Sequence, residues 1–213
     1  TEKEVWSRHI LDSAQIIRYI DFSKDHILSD LGSGAGGVLP EIVPKLQEQM
    51  GSDDLQLVLS DKFPNADAIR KFNGSSDQSV RYCEESVDAT QLETAPAGLK
   101  TMVNCFHHMS PENARSILSS AATHREPLLI YEMAGHQTMP FMAWLLGLPL
   151  GLPIVFLFAL VKSALVRPVT FRQIFFTYVI PFIPLFYAWD GQASMPRMYR
   201  LEDLDELLEG LEQ

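Results

Sequence analysis

Residues 26–37, HILSDLGSGAGG, constrain the fold more than any other part of the chain: a short apolar run, an acid, then four glycines within six residues. The apolar run reads as a buried strand. The glycines let the backbone turn sharply and approach a ligand where a Cβ would collide. Val38 to Gln49 then read as a helix, so the segment predicts strand, tight loop and helix. In open α/β sheets ligands bind outside the carboxyl ends of the strands, where the strand order reverses. Taken alone, Gly32, Gly34 and Gly37 also satisfy the dinucleotide pattern G-x-G-x-x-G. The loop by itself therefore leaves two nucleotide-cofactor classes open.

The rest of the first half repeats the rhythm. A leading helix is expected over Glu4 to Tyr19. Further apolar runs at Leu55 to Asp61, Val80 to Cys83, Thr101 to Cys105 and EPLLIYEMA (126–134) read as strands. Helices are expected from Asn65 to Phe72 and from Glu112 to Thr123, the latter with Ser110 as N-cap and Pro111 at the first position. Strands that are continuously apolar and alternate with helices predict a mainly parallel, doubly wound, Rossmann-like α/β sheet covered on both faces.

The other strand ends decide between the cofactors. Asp61 closes the second strand, where a carboxylate suits the two hydroxyls of a ribose. Asp88 and Ala89 follow the third strand, an acid beside a small residue that suits an adenine amino group. Asn104 follows the fourth. Here the chain resembles the class I S-adenosylmethionine-dependent methyltransferases, whose motifs run in this order over about Trp6 to Met133. The resemblance implies S-adenosyl-L-methionine as cofactor. It places Asp30, Gly32, Ser33, Gly34 and Gly36 along its methionine and ribose portions, Asp61 with Lys62 at the ribose, and Asp88 with Ala89 at the adenine. Asn104 stands where that family often has Asp. A nicotinamide-dependent oxidoreductase is the enzymatic alternative; Asp30 directly before the loop and the absence of a Tyr-x-x-x-Lys pair disfavour it.

Methyl transfer from a sulfonium needs alignment, a dry site and, for some acceptors, a base. The base candidates are His107, His108 and Glu132, near the ends of strands four and five. Adjacent histidines on an extended segment face opposite sides, so at most one is expected to be catalytic. No third ligand stands at a recognisable spacing from the pair, so no metal is expected. Cys83 and Cys105 are the only cysteines, too few for a disulfide framework, which suits reduced thiols in a cytoplasmic protein. The chain opens on Thr1, as a piece of a longer protein would, and no secretory leader is expected.

After the fifth strand the pattern breaks. Residues 139–161 carry no charge, nor do residues 174–189; the only charges from Met139 to Trp189 are Lys162, Arg167 and Arg172. The whole chain carries −10, so the remainder carries −13. That balance argues against nucleic acid as a partner. The expected organisation is a cofactor domain over 1–136, an apolar helical insertion over 137–190 and a helical return over 191–213. Residues 139–161 have the length of a membrane span. The insertion is expected to enclose a small, apolar or lipid-like acceptor, to meet the cytoplasmic face of a membrane through 139–189, to pair with a second copy, or to form a buried helical subdomain. Its end, Ala188 to Gly191, resembles a stretch in bacterial methyltransferase-like proteins with the same apolar insertion. The non-enzymatic alternative is a methyltransferase-like scaffold that binds membrane or a partner through this arm.

Overall fold

The structure, a computed structural model, describes residues 26–132, 140–166 and 169–211. The expected leading helix at 4–19 lies outside the described residues. The chain divides into two compact units. One is Thr1–Met133 with Glu202–Gln213; the other is Ala134–Leu201.

The first unit is the expected α/β sheet. Its strands are β1 (Ile27–Leu31), β2 (Gln56–Ser60), β3 (Val80–Tyr82), β4 (Leu99–Val103) and β5 (Leu128–Tyr131). All pairs are parallel and the order is β3-β2-β1-β4-β5. Its crossovers carry helices α1 (Val43–Met50), α2 (Ala66–Asn73) and α3 (Pro111–His124). Local chemistry sets their ends. Asn65 caps α2 by accepting from the amides of Asp67 and Ala68, and Ser110 caps α3 through the amide of Asn113. Gly51 closes α1 in the left-handed conformation.

One face of the sheet packs Leu28, Leu57, Leu59, Tyr82 and Leu99 against Val43, Leu46, Ala68 and Phe72. These side chains are almost wholly removed from water, and each large one contributes roughly 1.5–3 kcal/mol. The strands also bury polar residues. Lys100, 1% exposed, reaches Glu126 at 3.1 Å and donates to the carbonyls of Pro96 and Gly98. A closing helix, Leu201–Leu208, is held at its carboxyl end by Arg115 of α3. The Arg115 guanidinium donates to the carbonyls of Leu207 and Glu209, both at 2.9 Å.

The second unit is helical. Taking numbers in chain order, α4 (Phe141–Ser163) is followed by a short α5 (Phe171–Ile174) that widens into a π-helical turn (Phe175–Val179). Then comes α6 (Phe182–Ser194), and the closing helix is α7. No further strand occurs among the described residues after β5.

Candidate active site

The strand order reverses between β1 and β4, so the loops after these two strands lie side by side. Their contact is close. The Cys105 thiol donates to the Leu31 carbonyl at 3.3 Å, and a Cβ added at Gly32 would sit 3.1 Å from the Cys105 sulfur. Burial pushes that thiol up to about 12, so it serves as packing and not as a nucleophile.

The glycine loop is fixed from beneath. Asp30 is buried, and its two carboxylate oxygens accept from the Ser33 hydroxyl at 2.6 Å and the Thr101 hydroxyl at 2.8 Å. Ser60 of β2 donates its hydroxyl to the Asp30 carbonyl and its amide to the Ser33 oxygen. Desolvation raises the Asp30 carboxyl to about 6, against the lowering effect of the two hydroxyls. Asp30 and Ser33 thus shape the loop from its buried side.

The exposed side of the loop is open. Gly32, Gly34 and Gly36 all have positive φ, at 70°, 53° and 113°. Gly36 is where the Phe72 ring comes within 2.6 Å of any added Cβ, so this glycine is required by packing. At Gly34 an added Cβ would meet nothing within 4 Å among the described residues. Space beside a loop of left-handed glycines is the cradle a cofactor needs, and the residues present fit one. The Gly34 peptide is gripped at both ends: its amide donates to Asp61 Oδ2 at 2.9 Å and its carbonyl accepts from the Tyr82 hydroxyl at 2.8 Å.

Asp61 follows β2 and also accepts from the Phe63 amide through Oδ1 at 2.8 Å. Each of its oxygens keeps a second lone pair for a ligand hydroxyl. Lys62 turns away from Asp61 and pairs with Asp88 at 2.7 Å. With the Thr90 amide, it holds the Asp88 carboxyl below the ordinary carboxylate range. Ala89 follows, half-buried. Asn104 has φ 53°, a left-handed turn that Asn tolerates better than most residues, and its amide donates to the Tyr131 carbonyl.

That turn corrects the expectation of an extended histidine segment. After Asn104 the chain makes a 3-10 turn, Phe106–His108, with the two rings 4.1 Å apart. His107 is buried and His108 exposed. Glu132, just past β5, accepts from the His107 amide at 3.1 Å, and its other oxygen lies 2.7 Å from His107 Nδ1. Residues 107 and 132 therefore form a dyad at the ends of β4 and β5. Ser60, Tyr82 and Thr101 were not among the sequence candidates; their only signal was a polar atom closing or interrupting a buried strand. The wide depression lined by His26, Gln47, Asp53 and Ser79 lies at the amino-terminal ends of the strands and contains none of the candidates.

Comparison with known proteins follows the same half of the chain. Residues 1–59 match the GidB family, described as rRNA small subunit methyltransferase G. Ribosomal RNA small subunit methyltransferase G of Rickettsia rickettsii (strain Sheila Smith) is 32% identical over 113 residues, 49% of this chain and 54% of that protein. The protein of the same name from Rickettsia africae is 30% identical over 113 residues, with the same coverage. The one from Rickettsia bellii (strain OSU 85-389) is 27% identical over 116 residues, 51% of this chain and 56% of that protein. The chain spans about half the length of the curated relatives it matches. Their names correct the expectation that excludes nucleic acid, since all three are named for ribosomal RNA. Net charge reports on the whole surface, and an acceptor is met by a local one. Strand order, glycine loop, strand-end acids and these similarities agree: the α/β unit resembles the class I S-adenosylmethionine-dependent methyltransferases, and its first 59 residues match the GidB family.

Proposed function

We propose that the α/β unit binds S-adenosyl-L-methionine along β1, β2 and β3 and supports transfer of its methyl group in the cytoplasm. The observation that carries this reading is the open cradle at Gly32–Gly34, fixed by Asp61 and Tyr82. In it the backbone of residues 32–36 holds the methionine and ribose portions. Asp61 accepts from the ribose hydroxyls, and Asp88 with Ala89 reads the adenine. Lys62 holds Asp88 in place, while Asp30 and Ser33 act from below. Asn104 turns the chain toward the methionine end. When bound, the cofactor supplies a methyl group on a positively charged sulfur, whose departure needs no metal.

A methyl group so held would be open to in-line attack by the acceptor, and the chain's own part would be to align that acceptor and take its proton where it carries one. We assign that proton to His107. Glu132 beside Nδ1 selects the tautomer with hydrogen there, which leaves Nε2 as the basic atom. Glu132 acts through His107 as a positioning residue, and His108 has no assigned step.

The relatives' names make a base in small-subunit ribosomal RNA the first acceptor to test. A second reading, a small apolar or lipid-like acceptor, is favoured by one observation: the unit that follows β5 is almost entirely apolar and exposed. Transfer of labelled methyl from S-adenosylmethionine to small-subunit ribosomal RNA, with an extracted lipid fraction in parallel, separates the two. A labelled RNA supports the first and a labelled lipid the second. Binding of S-adenosylhomocysteine tests the common premise, because a ligand that binds the folded state raises its melting temperature. No shift at millimolar ligand overturns both.

A further inference from the structure

Unit Ala134–Leu201 is built inside out. Its buried residues, among those described, are Ala159, Thr177, Pro184, Ala188 and Ser194, all small or compact. Its large apolar residues point outward: Leu146 is 76% exposed, Leu150 69% and Phe186 64%. A water-soluble helical subdomain has the reverse arrangement, because the hydrophobic effect drives large side chains inward. Small residues in the seam and large ones outside is how helices pack where the surroundings are as apolar as leucine.

The helices are consistent with that packing. α4 and α6 pack on each other, with the Trp144 indole donating to the Gln192 carbonyl at 2.9 Å and Gly191 facing Val155. Near the other end, the Tyr178 hydroxyl donates to the Leu160 carbonyl at 2.8 Å. Only 6% of the most apolar window of α4 is buried, which separates it from the core helix of a soluble protein. Nor does α4 have a polar face on which to float at an interface: between Trp144 and Lys162 every residue is apolar.

Its ends are marked. Trp144 lies in the first turn of α4 and Lys162 in its last, while Arg172 lies in α5. Trp144 and Lys162 are 18 residues apart in one helix, about 27 Å at 1.5 Å per residue, against a hydrocarbon core of about 30 Å. Trp and Lys are among the residue types that anchor an inserted helix at a membrane–water boundary. The return arm is bent by 73° at the break before α6, and its apolar residues are exposed on both sides of the bend.

We propose that the helices over 141–163 and 171–194 insert together into the hydrocarbon of a lipid bilayer. The lipid acyl chains take the place of the core that this unit lacks. A second copy covering the same surface is the competing occupant. It does not account for outward-facing leucines and phenylalanines on both helices, since one copy covers one face.

The test uses the full chain with Trp6→Phe, so that fluorescence reports Trp144 and Trp189. Mixed with vesicles of phosphatidylcholine and phosphatidylglycerol, it is expected to float with them. It should stay bound in high salt and in alkaline carbonate, and be quenched by lipids brominated in the acyl chain. Leu150→Arg with Leu157→Arg should lower the floating fraction at least about tenfold and leave S-adenosylhomocysteine binding unchanged. The proposal is overturned by release in high salt, which marks surface adsorption, or by absence of quenching from the acyl region. It is equally overturned by a discrete lipid-free dimer that stays soluble without detergent. Cofactor binding is read separately throughout, so failure here is distinct from failure of the methyltransferase reading.

Discussion

Asp61 Oδ2 accepts the Gly34 amide at 2.9 Å, which makes the glycine loop after β1 and the acid after β2 a single structure. In the proposed site the same carboxylate accepts from the cofactor, so Asp61→Ala removes both a loop contact and a proposed ligand contact. It should weaken S-adenosylhomocysteine binding by about 2 kcal/mol, the worth of hydrogen bonds to a charged acceptor. Tyr82→Phe removes only the grip on the Gly34 carbonyl and should cost about 1 kcal/mol. Calorimetric titration measures both. Parent-like affinity in Asp61→Ala excludes this acid from the cofactor site.

The Asp30 carboxyl is raised from 3.8 to about 6, chiefly by burial. A folded state that holds the proton more tightly than the unfolded chain is favoured at low pH. That advantage is complete below the unfolded value and is lost as pH rises through the folded one. Stability should therefore fall between about pH 4 and pH 6 by up to about 3 kcal/mol from this group alone. Asp30→Asn keeps an acceptor for Thr101 and removes the charge. It should abolish that slope and leave the protein more stable than the parent at pH 7. Denaturant unfolding at a series of pH values reads the effect, and an unchanged slope in the variant means another group carries it.

Much of this was legible in the sequence because the decisive residues are local. A strand, a glycine loop and a cap such as Asn65 or Ser110 are each specified within a few neighbours. The order of strand-end acids survives translation into space because parallel strands all end on one edge of the sheet. The contacts that fix the site were not legible. Thr101 reaches Asp30 across 71 residues and Tyr82 reaches Gly34 across 48, and nothing in the intervening chain signals either pairing. The histidines show the same limit. Their geometry depends on a left-handed turn at Asn104, which a non-glycine residue does not advertise.

The His107–Glu132 dyad separates a chemical role from a structural one. If His107 takes the acceptor proton, His107→Ala lowers kcat by about 100-fold, the usual worth of a general base. Cofactor affinity should stay within a few-fold of the parent. Glu132→Gln keeps the hydrogen-bonding shape and should fall between parent and His107→Ala, mainly in kcat and not in KM. His108→Ala should be near the parent. Equal melting temperatures with these kinetics exclude a packing explanation. A parent-like kcat in His107→Ala removes the base from the mechanism.

Ser29 lies in β1 with its hydroxyl buried and without a hydrogen-bond partner among the described residues. A buried unpaired hydroxyl costs about 1–3 kcal/mol relative to an apolar group of its size. Ser29→Ala should therefore raise the melting temperature and leave cofactor affinity alone. Destabilisation would reveal a partner for that oxygen, such as a buried water.

The two units should also be separable by function. Every residue assigned to the cofactor precedes residue 105, and the helical unit begins only at Ala134. The tail beyond it belongs to the α/β unit, where Arg115 holds the end of α7 by its carbonyls. Replacing residues 139–197 with a Gly/Ser linker while keeping 202–213 should thus leave a folded α/β unit. Longer loops cost little closure entropy, about 0.6 kcal/mol per doubling, so the linker itself is tolerated. S-adenosylhomocysteine affinity should stay within about threefold of the parent, a change under 1 kcal/mol, and the shortened protein should handle without detergent. Arg115→Ala in the shortened protein should release α7, seen as faster amide exchange over 201–208 with the sheet still protected. If the shortened protein folds but no longer binds the ligand, residues 139–197 contribute directly to the cofactor site. The assignment of that site to the strand ends alone is then wrong.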